Sequence, residues 1–273
     1  MSKVRLDLEM VKRGLSASRE RARAQIMAGE VRVNGERAEK AGQEIREDAE
    51  IIIVEDAIPY VSRGGLKLEK AVHVFPINLQ GRICADIGAS TGGFTDVMLT
   101  NGAARVYAID VGYGQLAWTL RNDSRVVVME RTNARNMSPN WFSEQITFAS
   151  IDVSFISLKL ILPPLYHCLP EKGEVVALIK PQFEAGKNDV GKNGVVRDQK
   201  IHIHVCEDIM AFADSLGYSV EGLSYSPIKG PKGNIEFLLY MQKTSTKNIP
   251  CNDKFAEIAL KAVESAHKTG EFR

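Results

Sequence analysis

The segment RICADIGASTGGF, residues 82–94, decides the fold of the larger part of this 273-residue chain. It begins with a short apolar run that is typical of a buried strand, and a glycine-rich turn follows directly. Such a turn between a strand and a helix lets a ligand approach the backbone and directs helix N–H groups towards an anion. The pattern therefore predicts an α/β sheet with a ligand site at the carboxyl end of this strand.

Further apolar segments follow at intervals and predict the rest of the sheet. Helical patterns fill most of the gaps, and this alternation favours a parallel sheet with helices on both faces. The last two strand segments lie too close together for a helical crossover, which predicts an antiparallel edge. The predicted strands are 82–87, 105–110, 125–130, 146–151, 174–180, 218–226 and 234–241, and the predicted helices are 93–101, 113–121, 156–168, 198–216 and an amphipathic one over 253–267.

The first 58 residues are predicted to form a separate small domain. Residues 1–25 carry seven basic and three acidic side chains, whereas residues 26–56 carry four basic and nine acidic ones. Pro59 restricts the residue before it and interrupts regular structure, which is typical of a linker. The domain boundary is therefore expected near residue 58.

Turn and cap signals divide this small domain into helices and strands. Apolar residues with near-helical spacing precede Ser18, which can cap a second helix, and Gly29 can end that helix. Short strands are predicted at 31–33 and 51–54, with Asn34-Gly35 as the turn that leaves the first. The pattern is that of a small α+β unit with basic side chains on its two helices.

The segment from Arg5 to Val54 resembles, over its whole length, the small RNA-binding domain named after ribosomal protein S-four. The resemblance implies binding of structured RNA, largely through phosphate groups and shape. Basic side chains give sequence-independent affinity for RNA, and the segment has no aromatic residue to stack on unpaired bases. A solvated helical face is the alternative explanation of such a charge run. The candidate RNA-binding residues are Lys12, Arg13, Arg19, Arg21 and Arg23.

The glycine turn of the large domain has its own spacing. Gly88 is followed by Gly92 and Gly93, which departs from the G-x-G-x-x-G dinucleotide pattern and lacks the Lys-Ser/Thr of a P-loop. With Asp110 closing the next strand, it resembles the S-adenosylmethionine site of Rossmann-like methyltransferases, although a tight structural turn is the alternative. The resemblance implies that Asp110 accepts hydrogen bonds from the two ribose hydroxyls of the cofactor. The candidate cofactor-binding residues are Asp86, Gly88, Ala89, Ser90, Gly92, Gly93, Asp110 and Asn133.

Four charged residues lie at or near strand ends or the entrance to the sheet: Lys67, Asp152, Lys180 and Glu236. Each alone could be a surface ion pair or a solvated strand end. Their order resembles the FtsJ-type ribose 2′-O-methyltransferases, whose catalytic tetrad carries over onto these four positions. Glu184 is a rival for the glutamate role, but the GNIEFLLY context of Glu236 matches the family.

Longer runs extend the resemblance to nearly the whole chain. The runs YVSRGGLKLEKA, ADIGASTGGFTDV, DVGYGQLAW, ERTNAR, DVSFISL and IKPQFEAG are similar to the TlyA family of ribosomal-RNA methyltransferases, which are often labelled hemolysins. The implied fold class is α/β, a Rossmann-like methyltransferase sheet with helices on both faces, plus the small N-terminal α+β RNA-binding domain. The implied domains are 1–58 for RNA binding, 59–243 for methyl transfer, and 244–273 as a polar stretch and an amphipathic helix packed on the methyltransferase domain.

The residue types of the tetrad suit methyl transfer from a sulfonium to a ribose oxygen. This reaction needs the hydroxyl in line with the methyl group and its proton removed as the bond forms. Lys180 is the predicted base, which requires a partly neutral amine that burial and Lys67 favour and that Asp152 and Glu236 oppose. The alternative is that Lys180 only orients the hydroxyl, with Lys67 on the RNA phosphate.

Composition narrows the possible functions. The chain is 44% hydrophobic and 25% charged with a net charge of +1, which excludes a generally disordered protein. No run approaches the roughly 18 apolar residues of a membrane helix, and no signal peptide is visible, so a cytoplasmic protein is expected. The four cysteines lie at least 38 residues apart, which suggests neither disulfides nor a zinc site, and no metal is expected. They are Cys84, Cys168, Cys206 and Cys251.

Several functions are weighed against one another. The leading hypothesis is an S-adenosylmethionine-dependent 2′-O-methyltransferase whose partner is ribosomal RNA or a ribosomal subunit. An assembly factor that binds RNA without turnover is disfavoured by the presence of all four tetrad residues. Membrane lysis is disfavoured because no transmembrane run or strongly basic amphipathic helix is present. A small-molecule methyltransferase would have no use for the N-terminal domain.

Overall fold

The computed structural model describes residues 3–28, 30–38, 40–53, 58–186, 188–244 and 252–269. The chain divides into two compact units, residues 1–59 and 60–273. Within the described ranges, no helix is long and apolar enough to cross a membrane. The predictions made for Gly29, Val54 and Cys251 concern residues outside these ranges.

The N-terminal unit combines two helices with two small antiparallel sheets. Its elements are β1 (Lys3–Arg5), α1 (Leu6–Lys12), α2 (Arg19–Ala28), β2 (Val31–Val33), β3 (Glu36–Arg37), β4 (Glu44–Arg46) and β5 (Ile51–Ile53). Strand β1 pairs with β4, and β2 pairs with both β3 and β5. Both helices pack an apolar face on these sheets, with Leu6, Met10 and Ile26 fully buried.

Local signals in this unit act as predicted. Asn34 and Gly35 have φ angles of 50° and 83°, so both adopt the left-handed conformation of a two-residue hairpin turn between β2 and β3. The Ser18 hydroxyl accepts a hydrogen bond from the Arg21 N–H at 3.2 Å, which caps the start of α2.

The larger unit is one seven-stranded sheet with helices on both faces. Its elements are α3 (Gly65–Val74), β6 (Ile83–Ile87), α4 (Gly93–Thr100), β7 (Arg105–Ile109), α5 (Trp118–Arg121), β8 (Val126–Met129), β9 (Phe148–Ile151), α6 (Leu162–Cys168), β10 (Glu174–Ile179), α7 (Pro181–Glu184), α8 (Gln199–Leu216), β11 (Tyr218–Tyr225), β12 (Phe237–Lys243) and α9 (Asn252–Thr269). The strand order is β11-β12-β10-β9-β6-β7-β8. Strands β6 to β10 run parallel, and β12 runs antiparallel to both of its neighbours. The predicted parallel sheet and its antiparallel edge are confirmed.

Alternating side chains of the strands feed a separate core on each face of the sheet. Ile87, Ile109 and Ile151 are buried on the face covered by α6, α8 and α9, to which α9 contributes Phe255 and Val263. The opposite face packs residues of the same strands against α3 and α4. Because both faces are covered, the open edge at the carboxyl ends of the strands is where a ligand can enter.

Two predicted helices are shorter than the sequence pattern indicates. Residues 113–121 are helical only from Trp118, because the Ala117 N–H, which a helix from residue 113 would direct to the Tyr113 carbonyl, donates to the Thr91 carbonyl instead. The predicted helix 156–168 is a 3-10 turn over Leu158–Leu160 followed by α6. Two prolines in the first turn of α6 explain this break, since they have no N–H to donate to the preceding turn.

Candidate active site

The four tetrad residues come together at the carboxyl edge of the sheet. Asp152 and Lys180 directly follow β9 and β10, and Lys67 lies in the first turn of α3. Glu236 directly precedes β12, whose Phe237 pairs with Ile179 of β10. Because β12 is antiparallel to β10, its beginning lies beside the end of β10, which brings Glu236 to the same edge.

The tetrad forms one row of alternating charges. Lys180 Nζ lies 2.5 Å from Asp152 Oδ1, and Lys67 Nζ lies 3.2 Å from Asp152 Oδ2. Glu236 Oε2 lies 2.8 Å from Lys67 Nζ in a further ion pair. Lys67, Lys180 and Glu236 are buried, and Asp152 is about four-fifths buried. Two carboxylates thus balance two ammonium groups, as burial of charge requires.

The ion pairs decide the protonation of two tetrad members. Burial alone would raise the pKa of Asp152, but the Lys67 and Lys180 ammonium groups outweigh it and hold that pKa below its usual range. Burial would likewise lower the pKa of Lys67, but Asp152 and Glu236 outweigh it and raise that pKa. Lys67 is therefore a cation at neutral pH, with no lone pair to accept a proton, and Asp152 is an anion whose lowered pKa makes it a weak base.

Lys180 has a polar neighbour outside the row of charges. Its Nζ donates a hydrogen bond to the exposed Ser154 hydroxyl at 2.9 Å.

The rival Glu184 lies elsewhere, since its carboxylate accepts hydrogen bonds from the Ser157 hydroxyl at 2.6 Å and the Leu158 N–H at 2.8 Å. Burial raises the pKa of Glu184. The structure thus places Glu236, and not Glu184, against Lys67.

Two cavities meet at this edge of the sheet. The first, of about 430 Å³, is lined by the four tetrad residues together with Gln182 and part of the glycine turn. The second, of about 940 Å³, is lined by Asp110 and Asn133. Gly88, Ser90, Asp152 and Phe155 border both cavities. Volumes of this size suit a small organic ligand, and the shared wall would bring a group held in one cavity next to the other.

The glycine turn requires glycine for steric reasons. Gly88 has a φ of 87°, and a Cβ there would lie 2.5 Å from the carbonyl oxygen of Asp152. A Cβ on Gly93 would lie 2.7 Å from the backbone nitrogen of Gly65. Gly92, at φ 96°, directly precedes α4, and a Cβ there would lie 2.3 Å from Leu120 Cδ1. The turn therefore packs on three neighbouring segments and presents bare backbone to the cavities.

Asp110 links the glycine turn to the next strand. Its Oδ2 accepts the Ser90 N–H at 2.8 Å, and its Oδ1 accepts the Gly112 N–H at 2.7 Å. Each carboxylate oxygen has a further lone pair, so the group can still accept hydrogen bonds from a diol. Asn133 also lines the second cavity, and its Oδ1 accepts the Arg135 N–H at 3.2 Å.

Asp86 lies beneath the glycine turn and borders neither cavity. Its side chain is fully buried and accepts hydrogen bonds from the Thr95 N–H, the Thr95 hydroxyl and the Ser150 hydroxyl. Burial, opposed by these hydrogen bonds, raises the pKa of Asp86 to about 7. In this position Asp86 secures the first turn of α4, and its predicted part in cofactor binding stays a prediction.

Phe155 is a residue of the site that sequence reasoning missed. It is 90% exposed, has a φ of 63° and borders both cavities. Its ring packs on Phe183 with the centroids 5.1 Å apart. A left-handed backbone is costly for phenylalanine, and residues strained in this way cluster at functional sites. The available signal was a large apolar residue just after the strand-end Asp152, which a buried loop residue would also give.

Replacement of Gly88 by alanine is expected to weaken cofactor binding by about tenfold or more. The added methyl group would collide with the Asp152 carbonyl, a backbone group that cannot move aside as a flexible side chain could. Gly81→Ala is the matched control, because Gly81 has a similar φ of 72° and open space around it. Titration calorimetry with S-adenosylmethionine measures both variants. Equal affinities in the two variants would show that the close approach at Gly88 does not shape the site.

The basic residues of the N-terminal unit differ in their surroundings. Arg13 donates to the Glu9 carboxylate and to the carbonyls of Ala49 and Glu47, so it ties α1 to the segment before β5. Lys12 pairs with Glu9 and Glu47. Arg21 and Arg23 are exposed, and neither guanidinium has a partner among the described residues. These two are the best placed to contact a phosphate.

Arg19 belongs to a cluster with Asp7 and Arg5, neither of which is a candidate from the sequence. The fully buried Asp7 carboxylate accepts hydrogen bonds from Arg19 Nε at 2.9 Å and from Arg5 Nε at 3.0 Å. The Arg5 hydrogen bond, against the effect of burial and with the help of Arg19, lowers the pKa of Asp7 to about 2. One carboxylate thus holds two half-exposed guanidinium groups side by side.

Asp7→Asn is expected to lower the free energy of unfolding of the N-terminal unit by about 1 to 3 kcal/mol at neutral pH, because two charged hydrogen bonds are lost. The pKa of Asp7 is lowered in the folded state. Asp7 therefore contributes its full stabilisation at a pH above the ordinary aspartate pKa and loses it as the pH falls towards about 2. Calorimetric unfolding of the full chain over that range measures the effect. Asp48→Asn, in an exposed pair with Arg46, is the control. A parent–variant difference independent of pH would contradict the assignment.

The remaining titratable groups suggest no metal site. Among the described residues, no group of three or more His, Cys, Asp or Glu side chains is placed to hold a metal ion. Cys84, Cys168 and Cys206 are buried free thiols.

Comparison with known proteins gives matches to both units. The FtsJ-like methyltransferase family matches residues 60–243, and the S4 domain, the RNA-binding family named above, matches residues 4–51. YqxC of Bacillus subtilis (strain 168), named provisionally as an rRNA methyltransferase, is 50% identical over 98% of this chain and 95% of its own length.

Two further proteins are similar over most of their length. The 16S/23S rRNA (cytidine-2′-O)-methyltransferase TlyA of Mycobacterium tuberculosis is 45% identical over 88% of this chain and 90% of its own length. A solved structure from Streptococcus thermophilus, with hemolysin in its name, is 49% identical and covers 100% of both chains with a TM-score of 0.78.

Proposed function

The chain belongs to the FtsJ-like methyltransferase family, and we propose that it transfers a methyl group from S-adenosylmethionine to a ribose 2′-hydroxyl of ribosomal RNA. The observation that carries this proposal is the buried row Lys180–Asp152–Lys67–Glu236 in a cavity that shares a wall with the glycine turn. A methyltransferase needs such a pair of sites, one for the donor and one for the acceptor.

The residues of the second cavity and the glycine turn fit a nucleoside-type methyl donor. Asp110 can accept hydrogen bonds from the ribose diol of the donor, and the bare backbone at Gly88 admits the chain that carries the sulfonium. Asn133, at the far side of the same cavity, offers an amide to the base. When bound, S-adenosylmethionine supplies a methyl group that is already activated for transfer by its positive sulfur.

The tetrad would receive the acceptor ribose. Asp152 and Lys67 are held as an ion pair, which keeps their positions fixed, and Lys180 lies at the end of the row beside Ser154. We assign Lys180 the task of aligning the 2′-hydroxyl and holding or taking its proton. Phe155, exposed beside the same cavity, is placed to stack on the base of the target nucleotide.

The N-terminal unit supports RNA as the acceptor. It matches the S4 domain, and its exposed Arg21 and Arg23 lie on one helix with the Arg5–Asp7–Arg19 cluster nearby in the same unit. Ribosomal RNA is proposed because relatives similar over most of this chain have names that specify rRNA methylation.

Neutralising Arg21 and Arg23 together, as Arg21→Gln and Arg23→Gln, is expected to weaken RNA binding across sequences. The slope of log affinity against log salt should fall by roughly one unit for each lost phosphate contact. Fluorescence anisotropy with a ribosomal RNA fragment at several salt concentrations measures this slope. The double variant Lys261→Gln and Lys268→Gln removes two exposed lysines of α9 and is the control. An unchanged slope in the arginine variant would mean that these side chains do not contact RNA.

The proposed function is tested by incubating the purified chain with S-adenosylmethionine labelled in its methyl group and with isolated small and large ribosomal subunits. Incorporation of label into RNA is expected, and nucleotide mapping then identifies the position. No incorporation into either subunit or into free ribosomal RNA, with cofactor binding intact, would refute the proposal.

A further inference from the structure

Gln182 is a polar side chain of the first cavity that the function described so far does not use. It lies in α7, two residues after Lys180. Its Nε2 donates a long hydrogen bond, 3.5 Å, to Glu236 Oε1. The other oxygen of the same carboxylate, Oε2, faces Lys67 at 2.8 Å. Glu236 is therefore held between an amide on one side and an ammonium group on the other.

The backbone near Glu236 makes room for this arrangement. A Cβ on Gly230 would lie 2.6 Å from Glu236 Oε1, so the glycine lets that oxygen occupy its place next to Gln182. Glu236 itself is 1% exposed, and among the described residues Gln182 is the side chain that donates to its Oε1.

The amide of Gln182 is present at a cost to the fold. Its Oε1 is buried and has no hydrogen-bond partner among the described residues. A buried carbonyl oxygen without a partner destabilises the folded state. Turning the amide over would not help, because Oε1 would then face the Glu236 carboxylate as a second acceptor. An apolar side chain of similar volume would avoid this cost but would leave Glu236 Oε1 without its side-chain donor, so what the glutamine supplies is the hydrogen bond to Glu236.

We propose that Gln182 is a positioning residue that holds the Glu236 carboxylate towards Lys67 and so fixes the lysine–carboxylate row for methyl transfer. The inference rests on the proposed function and extends it to the polar group behind the tetrad. Gln182 acts through Glu236 and has no direct contact with the reacting atoms in this role.

The test compares three variants of the full chain in single-turnover methyl transfer to ribosomal subunits. Gln182→Met removes the donor at similar volume and is expected to lower the transfer rate by about 10- to 100-fold through misplacement of the tetrad. Affinities for cofactor and RNA should stay within about twofold of the parent. The change in melting temperature should be small, because Gln182→Met removes one unpaired buried oxygen, Gln182 Oε1, and leaves another, Glu236 Oε1, without its side-chain donor. Gln145→Met is the matched control, since Gln145 donates to the Cys168 carbonyl and borders neither cavity.

Gln182→Glu gives a readout that a purely structural role would not move. Two adjacent carboxyl groups cannot both ionise easily, so one takes up a proton at a higher pH than before. The acidic limb of the pH–rate profile should therefore shift to higher pH by about one unit or more. In Gln145→Met the limb and the rate should stay as in the parent.

The outcomes separate this inference from the function on which it rests. If the parent is active, a Gln182→Met rate within about threefold of the parent rate would overturn the role of Gln182 alone. A loss of rate accompanied by a large loss of melting temperature would also overturn it. An unshifted acidic limb in Gln182→Glu would do the same. A parent that transfers no methyl group would overturn the proposed function and this inference together.

Discussion

Lys180→Ala is expected to lower the rate of methyl transfer by about 100- to 10,000-fold, the range typical of the loss of a general base, with misalignment of the hydroxyl adding to it. Binding of cofactor and RNA should be nearly unchanged, because the contact of Lys180 with the reacting hydroxyl matters mainly in the transition state. The Asp152 carboxylate keeps Lys67 as its partner in this variant, so the fold should also persist.

Lys180→Arg separates the two roles that remain open for this lysine. A guanidinium stays protonated, so it cannot accept the proton, although it can still pair with Asp152. Single-turnover transfer with saturating cofactor and RNA measures both variants, and Lys261→Ala, an exposed lysine of α9, is the control. A Lys180→Ala rate within about threefold of the parent would remove Lys180 from the mechanism. Substantial activity in Lys180→Arg would leave it only a positioning role.

Asp152→Asn is expected to reduce methyl transfer by about 100-fold or more, because it removes the carboxylate that orders both lysines of the tetrad. Unlike Lys180→Ala, it should also destabilise the fold. Lys67 would keep only Glu236 as a carboxylate partner and Lys180 would lose its own, and an uncompensated buried charge costs about 3 to 5 kcal/mol. The asparagine has nearly the same shape, so the change tests charge rather than packing.

The pH dependence of this effect has a definite sign. The pKa of Asp152 is lowered in the folded state, so its contribution to stability is full above the ordinary aspartate pKa and disappears as the pH falls through the lowered value. The parent–variant difference in unfolding free energy should therefore be constant near neutral pH and narrow below about pH 4. Asp208→Asn, in an exposed pair with Lys159, should change neither stability nor rate measurably. Equal stability of Asp152→Asn and the parent at neutral pH would contradict the buried ion-pair network.

Local signals in the sequence predicted most of the fold because they depend on neighbouring residues. Glycines after an apolar run predicted the strand and turn at Gly88, and Asn34-Gly35 predicted a hairpin. The limit was reached where distant groups compete for the backbone. The helix predicted from residue 113 is absent over its first residues because the Ala117 N–H donates to the Thr91 carbonyl of the glycine turn rather than to the Tyr113 carbonyl.

The candidate site shows the same division between local and distant effects. The tetrad could be identified by resemblance, but its geometry depends on β12 lying between β10 and β11, which the sequence pattern did not indicate. Asp86 follows the pattern of a ligand-binding strand end. Its side chain is nevertheless buried, and it accepts hydrogen bonds from Thr95 and Ser150, which are distant along the chain. Arg5 and Phe155 escaped prediction because a basic residue before a helix and an apolar residue in a loop have many ordinary explanations.

The measurement that tests methyl transfer to a ribose 2′-hydroxyl most directly is the chemical position of the transferred methyl group. Ribosomal subunits are incubated with the chain and labelled S-adenosylmethionine, the RNA is digested to nucleosides, and the labelled nucleoside is identified by mass spectrometry. A nucleoside methylated on its ribose is expected in parent reactions and not with Lys180→Ala. Label on a base, or label incorporated equally by Lys180→Ala, would contradict it.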